Sequence, residues 1–111
     1  MPQAAPPPEA WDDEAAAELV GCLVLAGITY RYPDGSLGEQ QQLFGYVVAA
    51  DRQHGIELRL IGNYAGKKYR LPPDTRSFRR APAGQYRLKS TGEVVSDPDY
   101  TCAWTIEAPL Q

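Results

Sequence analysis

Residues 44–60 read FGYVVAADRQHGIELRL, and this stretch decides the fold class. Apolar and polar residues alternate on both sides of a short polar turn, which is the pattern of two half-buried antiparallel strands. The pattern places these side chains on one face: Phe44, Tyr46, Val48, Ala50, Ile56, Leu58 and Leu60. Gly55 can supply the positive φ that such turns often need. The stretch therefore predicts a β-hairpin at the centre of a small β-domain.

Strand-like segments continue on both sides of this hairpin, and one helix precedes them. Turn signals separate the segments at intervals of roughly ten residues. The predicted strands are 22–32, 39–50, 55–61, 67–71, 85–89 and 101–107. Residues 11–20 predict a short helix, because Asp12 or Asp13 can cap it and its first turn is acidic. We therefore expect a mainly β fold, either a small antiparallel barrel or a strongly bent sheet, with one short N-terminal helix.

Length and composition predict one domain over residues 11–111, since the chain has 111 residues and is 43% hydrophobic. Residues 1–10, MPQAAPPPEA, have the composition of a flexible proline-rich arm. No apolar run approaches the ~18 residues needed to span a bilayer. The N-terminus also lacks the basic and apolar regions of a secretory signal. We therefore expect a cytoplasmic chain with no membrane partner.

Residues that could carry catalysis are few. His54 lies in the predicted hairpin turn, and Cys22 and Cys102 lie in apolar strands, where the pKa of a thiol is raised. A disulfide between the two cysteines is geometrically possible, although cytosolic thiols are usually reduced. Asp97 and Asp99 flank a proline, which is typical of turn capping. The sequence contains no metal-ligand spacing and no nucleophile or phosphate-loop motif, so it predicts no enzyme activity, no metal site and no cofactor.

Charge is distributed unevenly along the chain. Ten of the eleven Lys and Arg residues lie between 52 and 89, whereas residues 1–21 contain five acidic residues and no basic one. In the segment 64–87 cations alternate with rings, a mixture that can hold single-stranded nucleic acid. The candidate binding residues are Tyr64, Lys67, Lys68, Arg70, Arg76, Phe78, Arg79, Arg80 and Arg87. The same pattern arises when rings face the core and cations solvate the outer face. Arg79 and Arg80 are least explained by that alternative, because we predict them in a loop.

The central hairpin resembles the first motif of Sm-like small barrels, whose spacing many SH3-like barrels share. The residues that carry the resemblance are Gly45, Val47, Asp51, Gly55, Ile56 and Leu58. The similarity covers residues 44–60 and implies a small barrel. The Met-Asn pair that follows the aspartate in Sm-like RNA binders is replaced by Gln53 and His54, and their second motif is missing. The run from 71 to 109 also resembles small bacterial β-domain proteins, which implies no activity.

These observations favour a non-catalytic protein-interaction module. Its partner would be a second copy or one dedicated protein, such as the toxin of an immunity-type pair. The acidic residues 1–21 and the basic segment 64–87 would be the docking surfaces, because opposed charge patches drive association. The alternative is single-stranded RNA or DNA binding through the basic segment 64–87.

Overall fold

The computed structural model describes residues 10–107 as eight strands and one α-helix. The helix α1 spans Asp13–Leu19. The strands are β1 (Leu23–Arg31), β2 (Leu37–Asp51), β3 (Gly55–Leu60), β4 (Lys68–Leu71), β5 (Arg79–Arg80), β6 (Gln85–Arg87), β7 (Val94–Ser96) and β8 (Tyr100–Glu107). The mainly β class and the single N-terminal helix are confirmed. Single 3₁₀ turns lie at Gly62–Tyr64 and Thr75–Ser77.

The helix α1 begins where its sequence predicts a cap. The Asp12 carboxylate accepts hydrogen bonds from the backbone N–H groups of Glu14 (2.9 Å) and Ala15 (3.3 Å), which otherwise have no partner in the helix. The helix ends before Gly21, whose φ of 89° takes the chain out of the helical path. Its Ala16 and Leu19 side chains are buried against the sheet. The helix therefore covers one end of the core.

Six strands form one sheet in the order β4-β3-β2-β1-β8-β5, and β6 and β7 form a separate antiparallel pair. The sheet does not close into a barrel, because its two end strands, β4 and β5, do not pair with each other. It is also mixed, since β8 runs parallel to β1. Of the two predicted alternatives, the small antiparallel barrel is therefore wrong, and so is the expectation that all strands pair antiparallel. Hairpin signals describe local turns, but they carry no information on how the last strand returns to the first.

Asp99 determines where β8 joins the sheet. The backbone N–H of Leu23 donates to the Asp99 carboxylate, and the backbone N–H of Asp99 donates to the Leu23 carbonyl, both at 2.8 Å. These two bonds fix the start of β8 beside the start of β1, so both strands run in the same direction. Asp97 holds the preceding turn in a similar way, accepting from the Gly84 N–H at 2.8 Å. Both carboxylates thus have structural roles.

The central hairpin pairs β2 with β3 as predicted, but its alternation has a different phase. Leu43 and Val47 of β2 are buried in the main core, whereas Tyr46 and Val48 are each 40% exposed on the other face. A bulge between Val47 and Ala49 then shifts the register, and Ala50 packs against the core again. Period-two patterns cannot fix the phase of a strand with apolar residues on both faces.

Two hydrophobic clusters lie on opposite faces of the sheet. The main core lies between the sheet and α1 and includes Val24, Ile28, Leu58 and Leu71. The second cluster lies under the β6–β7 pair and contains Leu25, Phe44, Leu88 and Val95. The sheet is therefore covered on both faces, but the β6–β7 pair covers only part of the outer one.

Candidate interaction surface

The outer edge of β8 lacks a strand partner from 102 to 107, and within residues 10–107 a run of similar length lies on β2, where 37–43 pair only with β1. On the outer side of β8, β5 pairs only with Tyr100 and Thr101. From 102 to 107 no described strand lies beside β8, although β1 pairs with it along its full length on the other side. In an edge strand every second residue directs its N–H and C=O groups away from the sheet. This edge therefore presents hydrogen-bonding groups over six residues.

Two grooves border this edge. The first, the Arg79 groove, has a volume of about 490 Å³ and is lined by Asp74, Arg76, Ser77, Arg79 and residues 101–103. The second, the Arg70 groove, has a volume of about 540 Å³ and is lined by Gln53, His54, residues 70–73, Ile106 and Glu107. Both volumes are in the range of ligand-binding clefts, about 300–1,000 Å³. The turn Thr75–Ser77 lies close to β8 and Phe78 contacts Trp104, so the chain between β4 and β5 borders this edge without forming a strand along 102–107.

The Arg70 groove also shows that the sheet is strongly curved. Its walls come from both β4 and β8, which are four strand spacings apart in the sheet. A flat sheet would separate these strands by about 19 Å. They line one groove only because the sheet bends around its main core. The two ends of the sheet thus approach each other without pairing.

Arg76 is held in place within the Arg79 groove. Its guanidinium donates to both carboxylate oxygens of Asp74, at 3.1 and 3.0 Å, and its backbone N–H donates to the same carboxylate at 3.0 Å. The bonds from the Arg76 side chain lower the pKa of the Asp74 carboxyl below its ordinary value. Arg76 is thereby oriented at the wall of the groove, and its charge is largely compensated.

Arg79 and Arg80 lie on β5, beside the place where the outer edge of β8 becomes unpaired. Both are exposed, and neither has a carboxylate within 4.0 Å among the residues that the structure describes. The Arg80 guanidinium lies over the Tyr100 ring, 5.1 Å from its centroid. The prediction that both lie in a loop is wrong, since each pairs with β8. They remain cations without an internal acidic partner.

The other candidates do not form a single patch with Arg79 and Arg80. Lys68 and Arg70 lie on β4 and both pair with Glu57, at 4.0 and 3.2 Å. Arg87 lies on β6, in the separate two-stranded sheet. Lys67 is exposed in the turn before β4, where its N–H donates to the Tyr64 carbonyl. The basic segment 64–87 is thus divided among three strands and the turns between them, because strand alternation and chain reversals separate neighbours in sequence.

The aromatic candidates face inward. Phe78 packs against the main core and makes an edge-to-face contact with Trp104, with ring centroids 6.5 Å apart. Tyr64 also packs against that core. Both residues are half-buried, and the faces that pack on the core are not available to stack on bases. For these two residues the structure favours the core-facing alternative that the sequence analysis left open.

The acidic N-terminal region contacts the rest of the chain. Asp13 accepts a hydrogen bond from Trp11 Nε1 at 2.8 Å and lies 3.6 Å from Arg52. The Thr75 hydroxyl donates to the Ala10 carbonyl (3.0 Å) and accepts from the Asp12 N–H (3.1 Å). These bonds hold the start of α1 against the loop that borders the Arg79 groove. Ala10 is fully buried, and the remainder of the predicted flexible arm, residues 1–9, lies outside the described residues.

The reactive side chains are separated from one another. Cys102 lies opposite Ala26 on β1, four residues beyond Cys22, which corresponds to about 13 Å along a strand. Both thiols are free, and burial raises the pKa of Cys102 to about 12 and that of Cys22 above its ordinary value. His54 Nδ1 lies 3.2 Å from Asp51 in the exposed hairpin turn. No group of three metal-ligating side chains occurs in residues 10–107.

The unpaired edge was missed at the level of sequence, although the strand itself was predicted. Its signal is the run YTCAWTI at 100–106, seven strand-forming residues without a charge or a proline. β7 was also missed, because VVS at 94–96 lies in a segment rich in Pro and Asp.

Comparisons with protein-family models, with curated proteins and with solved structures found no match to this chain. The resemblance to Sm-like and SH3-like barrels therefore stays a prediction. Within residues 10–107, no helix has the length and apolar character needed to cross a bilayer.

Proposed function

We propose that this chain is a non-catalytic protein-interaction module, acting in the cytoplasm, that binds a protein along the outer edge of β8. The observation that carries the proposal is the six-residue unpaired edge beside Arg79 and Arg80. Strand edges recruit extended segments of other chains through backbone hydrogen bonds. Cations without an internal acidic partner add electrostatic attraction and selectivity. The edge supplies the contact and the arginines restrict the choice of partner.

The distribution of charge also supports a protein partner over nucleic acid. Lys68 and Arg70 are paired with Glu57, and Arg76 is paired with Asp74. A nucleic-acid surface needs several uncompensated cations along one path, together with exposed rings for stacking. Phe78 and Tyr64 pack inward instead. Among the candidate cations on the strands of the main sheet, Arg79 and Arg80 are the two with no ion pair within residues 10–107, and they lie side by side at one end of a strand edge.

Light scattering after size-exclusion chromatography, together with a pull-down from the source cytosol, tests the proposal. The wild type is compared with Arg79→Glu and with Arg87→Glu, which makes the same charge change on the separate β6–β7 sheet. We expect self-association, or capture of one protein that purified components then reproduce, and we expect Arg79→Glu to weaken it. A strict monomer that captures no specific partner would refute the proposed function.

Single-stranded nucleic acid remains the second candidate, favoured by the exposed positions of Arg79 and Arg80. A labelled twelve-nucleotide oligothymidine at low salt tests it by fluorescence polarisation. Binding that weakens steeply with salt and is lost in Arg79→Glu would support this candidate. Absence of binding at about 50 mM salt would exclude it, since phosphate contacts are strongest there.

A further inference from the structure

The two edges of the main sheet differ in how they are protected. β4, KYRL, carries Lys68 and Arg70 and is followed by Pro72 and Pro73, features that discourage pairing with another chain. The outer edge of β8 has neither a lysine nor a proline between 100 and 106. Natural proteins usually block a long edge of this composition. The contrast favours the β8 edge over the β4 edge as the place where a strand can add, beside the turn Thr75–Ser77.

The residues around the β8 edge indicate which side chains a strand paired with it would carry. A segment paired with β8 over 102–107 would meet β5 at one end, where Arg79 and Arg80 lie without carboxylate partners among residues 10–107. Its other end would enter the Arg70 groove, whose walls include apolar Leu71, Pro72 and Ile106. An acidic residue suits the first end and apolar residues suit the second.

We infer that the partner contributes an extended segment that adds antiparallel or parallel to β8 at 102–107 and places an acidic side chain on Arg79 and Arg80. This inference rests on the proposed function and adds the chemistry of the partner. The ligand is an extended peptide in which acidic and apolar residues alternate. Backbone hydrogen bonds supply its affinity and the two arginines its charge preference.

Fluorescence polarisation with two labelled octapeptides tests the inference. The probe is an acetylated and amidated (Glu-Val)₄ peptide, and the control is the corresponding (Lys-Val)₄ peptide. We expect saturable binding of the acidic peptide and at least about tenfold weaker binding of the basic one. Arg79→Glu should weaken binding of the acidic peptide about tenfold, whereas Arg87→Glu should change it less than about twofold. Thermal melts verify that both variants fold, and Arg79→Gln provides a neutral substitution.

Four outcomes overturn the inference. They are absence of binding by the acidic peptide, equal binding of both peptides, equal effects of the two arginine reversals, and displacement of the acidic peptide by a second copy of the chain. Tighter binding of oligothymidine than of the acidic peptide would assign the site to nucleic acid instead. If a protein partner is reproduced with purified components while the acidic peptide fails, the inference falls and the proposed function stands. If neither a protein partner nor the acidic peptide binds, both the inference and the proposed function are refuted.

Discussion

Gly45 shows how a single residue controls the path of the longest strand. A Cβ atom at this position would overlap the Arg59 carbonyl and lie 2.8 Å from the Leu60 Cα, so β3 approaches β2 within the space that a side chain needs. The sequence predicts a bend or a close backbone approach at this glycine. The close approach is confirmed. Because of this close approach, Gly45 pairs with Val24 of β1 on one side and with Leu60 of β3 on the other.

We expect Gly45→Ala to lower the free energy of unfolding by about 2 kcal/mol, because backbone atoms of β3 must move to admit the methyl group. Gly27→Ala is the matched control in the same sheet, since a Cβ there meets no atom within 4 Å. Its effect should stay within about 0.5 kcal/mol. Urea unfolding measures both. Equal losses for the two variants would contradict the close approach of β3 to Gly45.

Asp74 gives the structure a dependence on acid pH. Its pKa is lowered in the folded chain by the bonds from Arg76, so its contribution to stability is present above the ordinary carboxyl pKa. That contribution is lost as the pH falls through the folded-state value. We expect Asp74→Asn to cost about 0.5 kcal/mol at pH 7, a small amount because Arg76 is half exposed.

Urea unfolding at pH 7 and pH 2.5 measures this effect, with Glu39→Gln as a control that removes an exposed carboxylate. The difference between wild type and Asp74→Asn should shrink as the pH falls from 7 to 2.5. A difference that persists unchanged at pH 2.5 would show that the Asp74 side chain acts through packing and not through its charge.

At the scale of elements, the local structure is predictable and the pairing is not. The helix and the first four strands lie within one or two residues of their predicted ends, because caps, turns and alternation are local signals. The parallel partnership of β1 and β8 depends on Asp99, which joins segments 76 residues apart. The sequence offers only a turn signal at this aspartate. For that reason the sequence predicts an antiparallel architecture, either a small barrel or a strongly bent sheet, and not the parallel pairing of β1 with β8.

The β6–β7 pair is an element whose stability depends on the second cluster. Leu88 is 1% exposed and packs beside Leu25, Phe44 and Val95. We expect Leu88→Ala to destabilise this pair by about 2–3 kcal/mol. Val94→Ala, on the exposed side of β7, should change stability by less than about 0.5 kcal/mol.

Hydrogen exchange distinguishes a local effect from a global one. In Leu88→Ala the β6–β7 pair should unfold locally, so the amides of 85–96 should lose protection from exchange. The amides of β1 and β2 should keep their protection. Uniform loss of protection across both groups would mean that the two clusters form one cooperative core.

At the scale of the whole molecule, the sequence reveals an uneven charge but not its use. Ten cations fall between 52 and 89, yet the fold pairs Lys68, Arg70 and Arg76 with nearby carboxylates and moves Arg87 to another sheet. Only the three-dimensional arrangement separates these compensated cations from Arg79 and Arg80. The open edge likewise depends on strand order, which local patterns do not determine. Of the proposed site, the sequence therefore points to Arg79 and Arg80 but not to the strand edge beside them.

The most direct test of the account is amide hydrogen exchange by NMR, measured on the free chain and on the chain saturated with (Glu-Val)₄. In the free chain, every second amide between 102 and 107 should exchange rapidly, because its N–H points to solvent. Those amides should gain protection with the peptide, while the amides of β4 remain unchanged. Two results would contradict the addition of a peptide strand to β8. The first is that all amides of 102–107 are already protected in the free chain, and the second is that the peptide protects amides of β4 but none of β8.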